Sequence, residues 1–263
     1  HSTTSVAVTN GTLRLSSGDD GIHSDDIVAI SGGEISISKS YEGIEGGTIT
    51  VSGGTIDLTS SDDGFNAAGG ADSSASNGPR GNDPFAVDTS KSLVISGGTI
   101  TVNAEGDGLD SNGTMSISGG TIYVSGPTAA NNGALDSGST MTISGGTIIA
   151  AGSAGMAQTF DETSTQGSIS YTFTSAQQAG TTISLKDASG NVIVSFTAEK
   201  TFQNVIISAP GLTTGQSYSL YAGSTLAETI TLSGVVTTIG SGNAAGGMNG
   251  SFGGQRPNGG RHG

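Results

Sequence analysis

The chain has 263 residues, including 46 Gly but no Cys or Trp; 33% of it is hydrophobic, the net charge is −14 and the pI is near 4.2. That charge argues against nucleic-acid or anionic-membrane binding, the missing Cys excludes disulfide staples and thiolate metal sites, and no apolar run is long enough to span a bilayer. The acid is uneven: residues 1–150 hold seventeen Asp or Glu against four Lys or Arg, and residues 151–263 hold five against four.

Short alternating strands recur in pairs along the first part. SVAV (5–8) precedes TNGTLRL (9–15), a weak first copy. IVAI (27–30) then precedes SGGEISI (31–37), TITV (48–51) precedes SGGTIDL (52–58), and LVI (93–95) precedes SGGTITV (96–102). MSI (115–117) with SGGTIYV (118–124) and MTI (141–143) with SGGTIIA (144–150) complete the series. Starts of the Ser-Gly-Gly phrases are 21, 44, 22 and 26 residues apart. Repetition at such a period predicts a solenoid, and an apolar spacing of two makes its units strands. Three short strands per repeat, separated by tight turns, predict one coil of a parallel β-helix. The double Gly suits a corner that needs positive φ.

The third repeat is stretched. Glu45 to Val51 is six steps, whereas the equivalent Asn66 to Ile95 is 29. The extra segment, 71–91, has two prolines and little alternation and reads as a loop leaving the coil, with a degenerate extra coil as the alternative. Beyond about Met156 the repeat fades into hairpin-type strands with a turn at DASGN (187–191). The expected organisation is a solenoid over 1–158, an antiparallel β cap or small β domain over 159–240, and a Gly-rich flexible tail over 241–263. SVAV is already mid-repeat, so we expect earlier coils in a longer protein. No signal peptide is visible, and the sequence opens at His1 rather than Met, so a removed leader stays open.

Aligned on a Gly-apolar pair, the repeats yield two polar columns. The position before Gly holds Asp20, Glu42, Asp63 and Asp107. The position two after Gly holds His23, Glu45, Asn66 and Asp110, continued by Asp136. With Ile22, Ile44, Phe65 and Leu109 pointing inward, both columns are expected to line one outer face. Coils stack about 4.8 Å apart, and two carboxylates at about 5 Å repel by about 3 kcal/mol at an effective dielectric of about 20. Raised pKa values or a cation between coils would relieve this. Several hard oxygen donors without Cys favour Ca2+, with Asp19, Asp25 and Asp62 close enough to add ligands.

The phrases DDGIH (19–23), SYEGIEG (40–46) and DDGFNAAGG (62–70), with VSFTAEKTFQNVIIS (194–208) further on, resemble the clostridial-type carbohydrate-binding β-helix proteins, whose fold is like that of polysaccharide lyases. The likeness covers about residues 1–240. It implies an extracellular, secreted or cell-surface protein that binds calcium and plant cell-wall polysaccharide of the cellulose or polygalacturonate type. Carried over residue by residue, it implies Asp19, Asp20, Glu42, Glu45, Asp62, Asp63 and Asn66 as metal ligands, with Asp107 and Asp110 matching more loosely.

The expectation is thus an all-β chain: a right-handed parallel β-helix of 21–22 residues per coil with a C-terminal β cap, binding Ca2+ and a polysaccharide, non-catalytic and monomeric. Tyr41, beside the ladder, and Arg80, in the long loop, are the candidate substrate contacts; Tyr123 is a further aromatic on a neighbouring face. A calcium-dependent polysaccharide lyase is the alternative, needing a base from among Arg14, Lys39, Arg80 and Lys91. A structural stalk or adhesin stiffened by calcium is the third reading.

Overall fold

The computed structural model describes residues 1–68 and 87–240. Among these residues the regular structure is entirely β. The first strands are β1 (Ser5–Val8), β2 (Thr12–Leu15), β3 (Ile22–Ile37), β4 (Ile44–Ser60) and β5 (Phe65–Ala67). They are followed by β6 (Ser92–Ala104), β7 (Leu109–Ser111), β8 (Thr114–Ser125), β9 (Leu135–Ser137) and β10 (Met141–Gly152).

Each repeat lies parallel on the next. β1 and β2 pair with β3, β3 with β4, β4 with β6, β6 with β8, and β8 with β10. The short strands form their own ladder, β4 on β5, β5 on β7 and β7 on β9. Identical alternation in every repeat makes this register the one that buries all apolar positions at once. Ile30, Val51, Ile95, Ile117 and Ile143 stack in one row, and Ile35, Ile56, Ile100, Ile122 and Ile148 in another. All ten are essentially fully buried. At about 1.5–3 kcal/mol for each buried aliphatic side chain, these rows are the main driving force of the stack.

The Ser-Gly-Gly corners shift the register of the long strands without ending them. Gly54 shows what the corner requires: its φ is 93°, and the Cβ of any other residue would come within 2.9 Å of the Gly33 carbonyl oxygen.

Part of the 71–91 segment, together with Arg80 and the tail expected at 241–263, lies outside the described residues. On either side of it the rungs are continuous: Thr48 pairs with Ser92 and Phe65 with Leu109. Among the described residues β6 pairs directly with β4.

After Gly152 come β11 (Ser168–Gln177), β12 (Thr182–Lys186), β13 (Val192–Thr197), β14 (Phe202–Ser208), β15 (Ser217–Ala222), β16 (Thr225–Thr231) and β17 (Val236–Ile239). Three of them extend the large sheet. β14 pairs antiparallel with both β10 and β11, and β17 pairs parallel with β11. The others form a separate antiparallel sheet in the order β13-β12-β15-β16. Its apolar face shares a second core with Ile149 and Ala151 of β10, which point away from the first core. Tyr123 stacks on Phe196 here, with centroids 5.1 Å apart and planes at 9°. That ring is a packing contact between the two parts of the molecule. No helix in the described residues is long and apolar enough to cross a membrane.

Candidate metal-binding site

The short strands set the site. Their register places Ile22, Ile44, Phe65, Leu109 and Leu135 in one column, and His23, Glu45, Asn66, Asp110 and Asp136 in the next. The turns before them stack as well: Gly21 donates its N–H to the Glu42 carbonyl, Gly43 to Asp63 and Gly64 to Asp107. Asp20, Glu42, Asp63 and Asp107 therefore occupy successive rungs. The glycine between the columns is obligatory because the rungs approach so closely. A Cβ on Gly64 would stand 2.4 Å from the Gly108 carbonyl oxygen and 2.4 Å from Val102 Cγ1.

The columns do not line a solvated outer face, as alternation predicts. The Asp20 side chain is 2% exposed, Glu42 5%, Glu45 1% and Asn66 8%. The reason is the turn. Gly folds the chain back, so the preceding carboxylate points along the stacking direction and accepts a backbone N–H from the following rung. Asp20 Oδ1 accepts from Glu42 N at 3.3 Å, Asp63 Oδ1 from Asp107 N at 2.6 Å, and Asp107 Oδ1 from Gly133 N at 2.5 Å. Asp62 and Asp63 also depart from strand behaviour. They lie in a turn, and their Oδ1 atoms converge over Gly106, at 2.5 and 2.3 Å from where its Cβ would be.

At the N-terminal end the crease contains an imidazole. His23 Nδ1 lies 2.9 Å from Asp20 Oδ2 and 3.1 Å from Glu45 Oε2. Further along there are only oxygens. Asn66 Nδ2 donates to Glu42 Oε1 at 2.8 Å, leaving Glu42 Oε2 and Asn66 Oδ1 buried without a hydrogen-bond partner. Asp107, Asp110 and Asp136 bring one carboxylate oxygen each within 4.8 Å of one another. Among the described residues no Lys or Arg forms an ion pair with this ladder: Arg14 faces Glu34 and Lys200 faces Glu105.

Burial and mutual repulsion act on these acids together. Burial foremost, then the neighbouring acids, pushes Glu42 up to about 8 against the Asn66 hydrogen bond. Asp63 is pushed up to about 7 by burial and by Asp62. Asp107 is pushed up to about 8 by burial and by Asp63, and Asp110 stands well above the usual carboxylate range for the same reasons. Asp136 is raised by burial. Such a set either holds protons or holds a cation.

Of the other sequence candidates, Asp19 is exposed. Tyr41 is 36% exposed and hydrogen-bonds to Asp62, which, with burial, raises its phenol pKa. Lys91 stacks at the corner beside Gly47, its Nζ 3.2 Å from the Cβ position there. Gln158 escaped the sequence reading. Its Nε2 donates to Asp136 Oδ1 and its Oε1 accepts from Ser137 N, so it closes the C-terminal end of the column. No Gly-apolar pair marks it; only its offset of 22 from Asp136 does.

A family model described as "Carbohydrate-binding domain-containing protein" matches residues 81–231, more than half of the chain. No curated protein and no solved structure matches it. The match takes in the Asp107–Asp110–Asp136 end of the ladder and the four-stranded sheet; the rungs of Asp20, Glu42 and Asp63 precede it. On this footing the chain belongs to the carbohydrate-binding domain-containing family.

Proposed function

We propose that the protein is an extracellular, non-catalytic module that binds an acidic plant cell-wall polysaccharide of the polygalacturonate type through calcium held in the ladder. In this reading the stacked repeats wind as a right-handed parallel β-helix, of the architecture used by polysaccharide lyases, and the chain acts as a monomer. One observation carries the calcium assignment: among the described residues, Asp107, Asp110 and Asp136 converge with no Lys or Arg paired to them, and Glu42 Oε2 and Asn66 Oδ1 make no hydrogen bond. The donor set fits the ion. It consists of hard oxygens, several per site.

Glu42, Asn66, Asp62 and Asp63 would hold one ion, and Asp107, Asp110 and Asp136 another. Asp20 and Glu45, placed by sequence in the same set, are occupied with His23 at the first rung. A bound ion supplies charge compensation and a Lewis-acidic centre. Asp62, Asp63, Asp107, Asp110 and Asp136 are only partly buried, so an ion among them keeps a side on which a uronate carboxylate can complete the shell. A polyanionic glycan and an acidic crease repel each other without that bridge.

The test is titration of polygalacturonate into the protein with calcium and with excess chelator. The reading expects binding with calcium and at least a tenfold loss with chelator. Equal affinity under both conditions overturns the bridge. Unsaturated or reducing products after prolonged incubation would make the protein an enzyme. Calcium-dependent stability without binding to any glycan on an array would make it a stiffened stalk.

A further inference from the structure

The first rungs carry nitrogen where the later ones carry oxygen. Ser2 and Ser24 form a parallel bridge, Ser2 N donates to the His23 carbonyl at 3.1 Å, and Asp25 N donates to the Ser2 carbonyl at 2.9 Å. This sets His1 directly over His23, with ring centroids 4.4 Å apart and planes tilted by 41°. Asp25 reaches both. Its Oδ1 is 2.8 Å from His1 Nε2 and 3.4 Å from His23 Nε2.

The state of His23 is fixed from behind. With Asp20 and Glu45 ionised, and therefore acceptors only, the Nδ1 facing them carries the proton. In the neutral ring that leaves the lone pair on Nε2. This atom is buried and makes no hydrogen bond, and Asp25 Oδ1 stands 3.4 Å from it. A carboxylate holding the far nitrogen of an imidazole, with the near nitrogen bare, is how proteins orient a histidine toward a metal.

We propose that His1 Nε2, His23 Nε2 and Asp25 Oδ1 form a site for a borderline divalent cation of the zinc class, distinct from the oxygen-only calcium sites of the later rungs. One donor atom from each of the three residues lies within 4.8 Å of the other two. Tetrahedral zinc, with bonds of about 2.0–2.2 Å, gathers two nitrogens and one carboxylate oxygen and leaves a fourth position to water. Imidazole donors select zinc, copper and nickel over calcium. Exposure of the His1 and Asp25 side chains, 58% and 40%, leaves the ion a way in. Asp20 and Glu45 act from the second tier, by orienting His23. The proposal stands independently of calcium in the later rungs.

The experiment is zinc titration of the full chain in millimolar calcium, followed by histidine 15N resonances; His262 is the internal control. The expected result is one equivalent bound, with Nε2 of His1 and of His23 shifting, Nδ1 of His23 staying protonated, and His262 unmoved. Asp25→Asn and His23→Gln each weaken zinc at least tenfold. Cobalt in place of zinc shows the intense visible bands of a tetrahedral site. No stoichiometric zinc uptake overturns the proposal, as does a His23 ring protonated on both nitrogens and indifferent to zinc, which would be a plain ion pair. Uptake abolished by His1→Gln but retained in both His23→Gln and Asp25→Asn is chelation by residue 1 alone, and also overturns it.

Discussion

The two ends of the ladder meet the same electrostatic problem with different chemistry. At the Asp20 end one imidazole sits between two buried carboxylates, its Nδ1 at 2.9 and 3.1 Å from them. At the Asp110 end three carboxylates face one another, Gln158 donates to Asp136, and burial raises every one of these acids. The repeat unit is the same at both places. A single side chain, His23 against Asp110 on the same column, decides whether the rung offers a ring nitrogen or oxygens alone. The difference teaches that a regular backbone ladder fixes where donors go and leaves which ion they take to one residue per rung.

The sharpest way to break this comparison is to remove the imidazole. His23→Ala takes the ring away from buried Asp20 and Glu45 and should destabilise the metal-free chain by about 3–5 kcal/mol, read from chemical denaturation. Asp110→Asn should act in the opposite sense. By removing one of several repelling charges it should stabilise the metal-free chain at pH 9 by up to about 3 kcal/mol. The same sign for both variants would mean that the two ends are electrostatically alike.

Calcium should reverse the order. At a hundredfold excess over its dissociation constant, one site contributes about 2.7 kcal/mol. For a chain of this size that raises Tm by roughly 5–10 °C. Chelator should undo the rise, and Asp110→Asn should lose most of it while His23→Ala retains it.

Acidity provides the next test. Glu42, Asp63 and Asp107 have folded pKa values of about 8, 7 and 8, against about 4 for an ordinary carboxylate. The protonated forms therefore favour the fold. Their stabilisation is fully present below about pH 4 and is lost as pH rises through 7–8. Thermal melts of the metal-free chain should fall between pH 5 and pH 9, and calcium should flatten or invert that slope. A metal-free Tm that rises over this range would show the crease to be hydrated and ionised.

The smallest expected effect is at Tyr41. Tyr41→Phe removes the hydroxyl that bonds to Asp62 and should cost about 1 kcal/mol. Glycan affinity should be unchanged. Its abolition in Tyr41→Ala would mark the ring as a sugar platform instead.

Much of this was legible in the residues. The spacing of Ile30, Val51, Ile95, Ile117 and Ile143 gives the stacking register, because only one alignment buries all five. The two polar columns follow from aligning Gly21, Gly43, Gly64 and Gly108. Their burial does not follow. Alternation treats each position as pointing in or out, whereas Asp63 and Asp107 point along the stack toward the next rung. Gln158 was hidden because the motif around it is gone and only its place in the register survives. The joining of β14 to β10 was equally hidden, since long-range pairing leaves no local mark on either strand. Tyr123 reads as a free aromatic until Phe196, far along the chain, is placed against it.

The rungs on either side of residues 69–86 bear on engineering. Ala67 rests on Ser111 and Ser92 rests on both Thr48 and Thr114, so the chain departs from and returns to one level of the stack. The length of what lies between is therefore decoupled from the register of everything after it. This makes the position a natural port for grafted sequence, on a scaffold whose downstream rungs do not have to move.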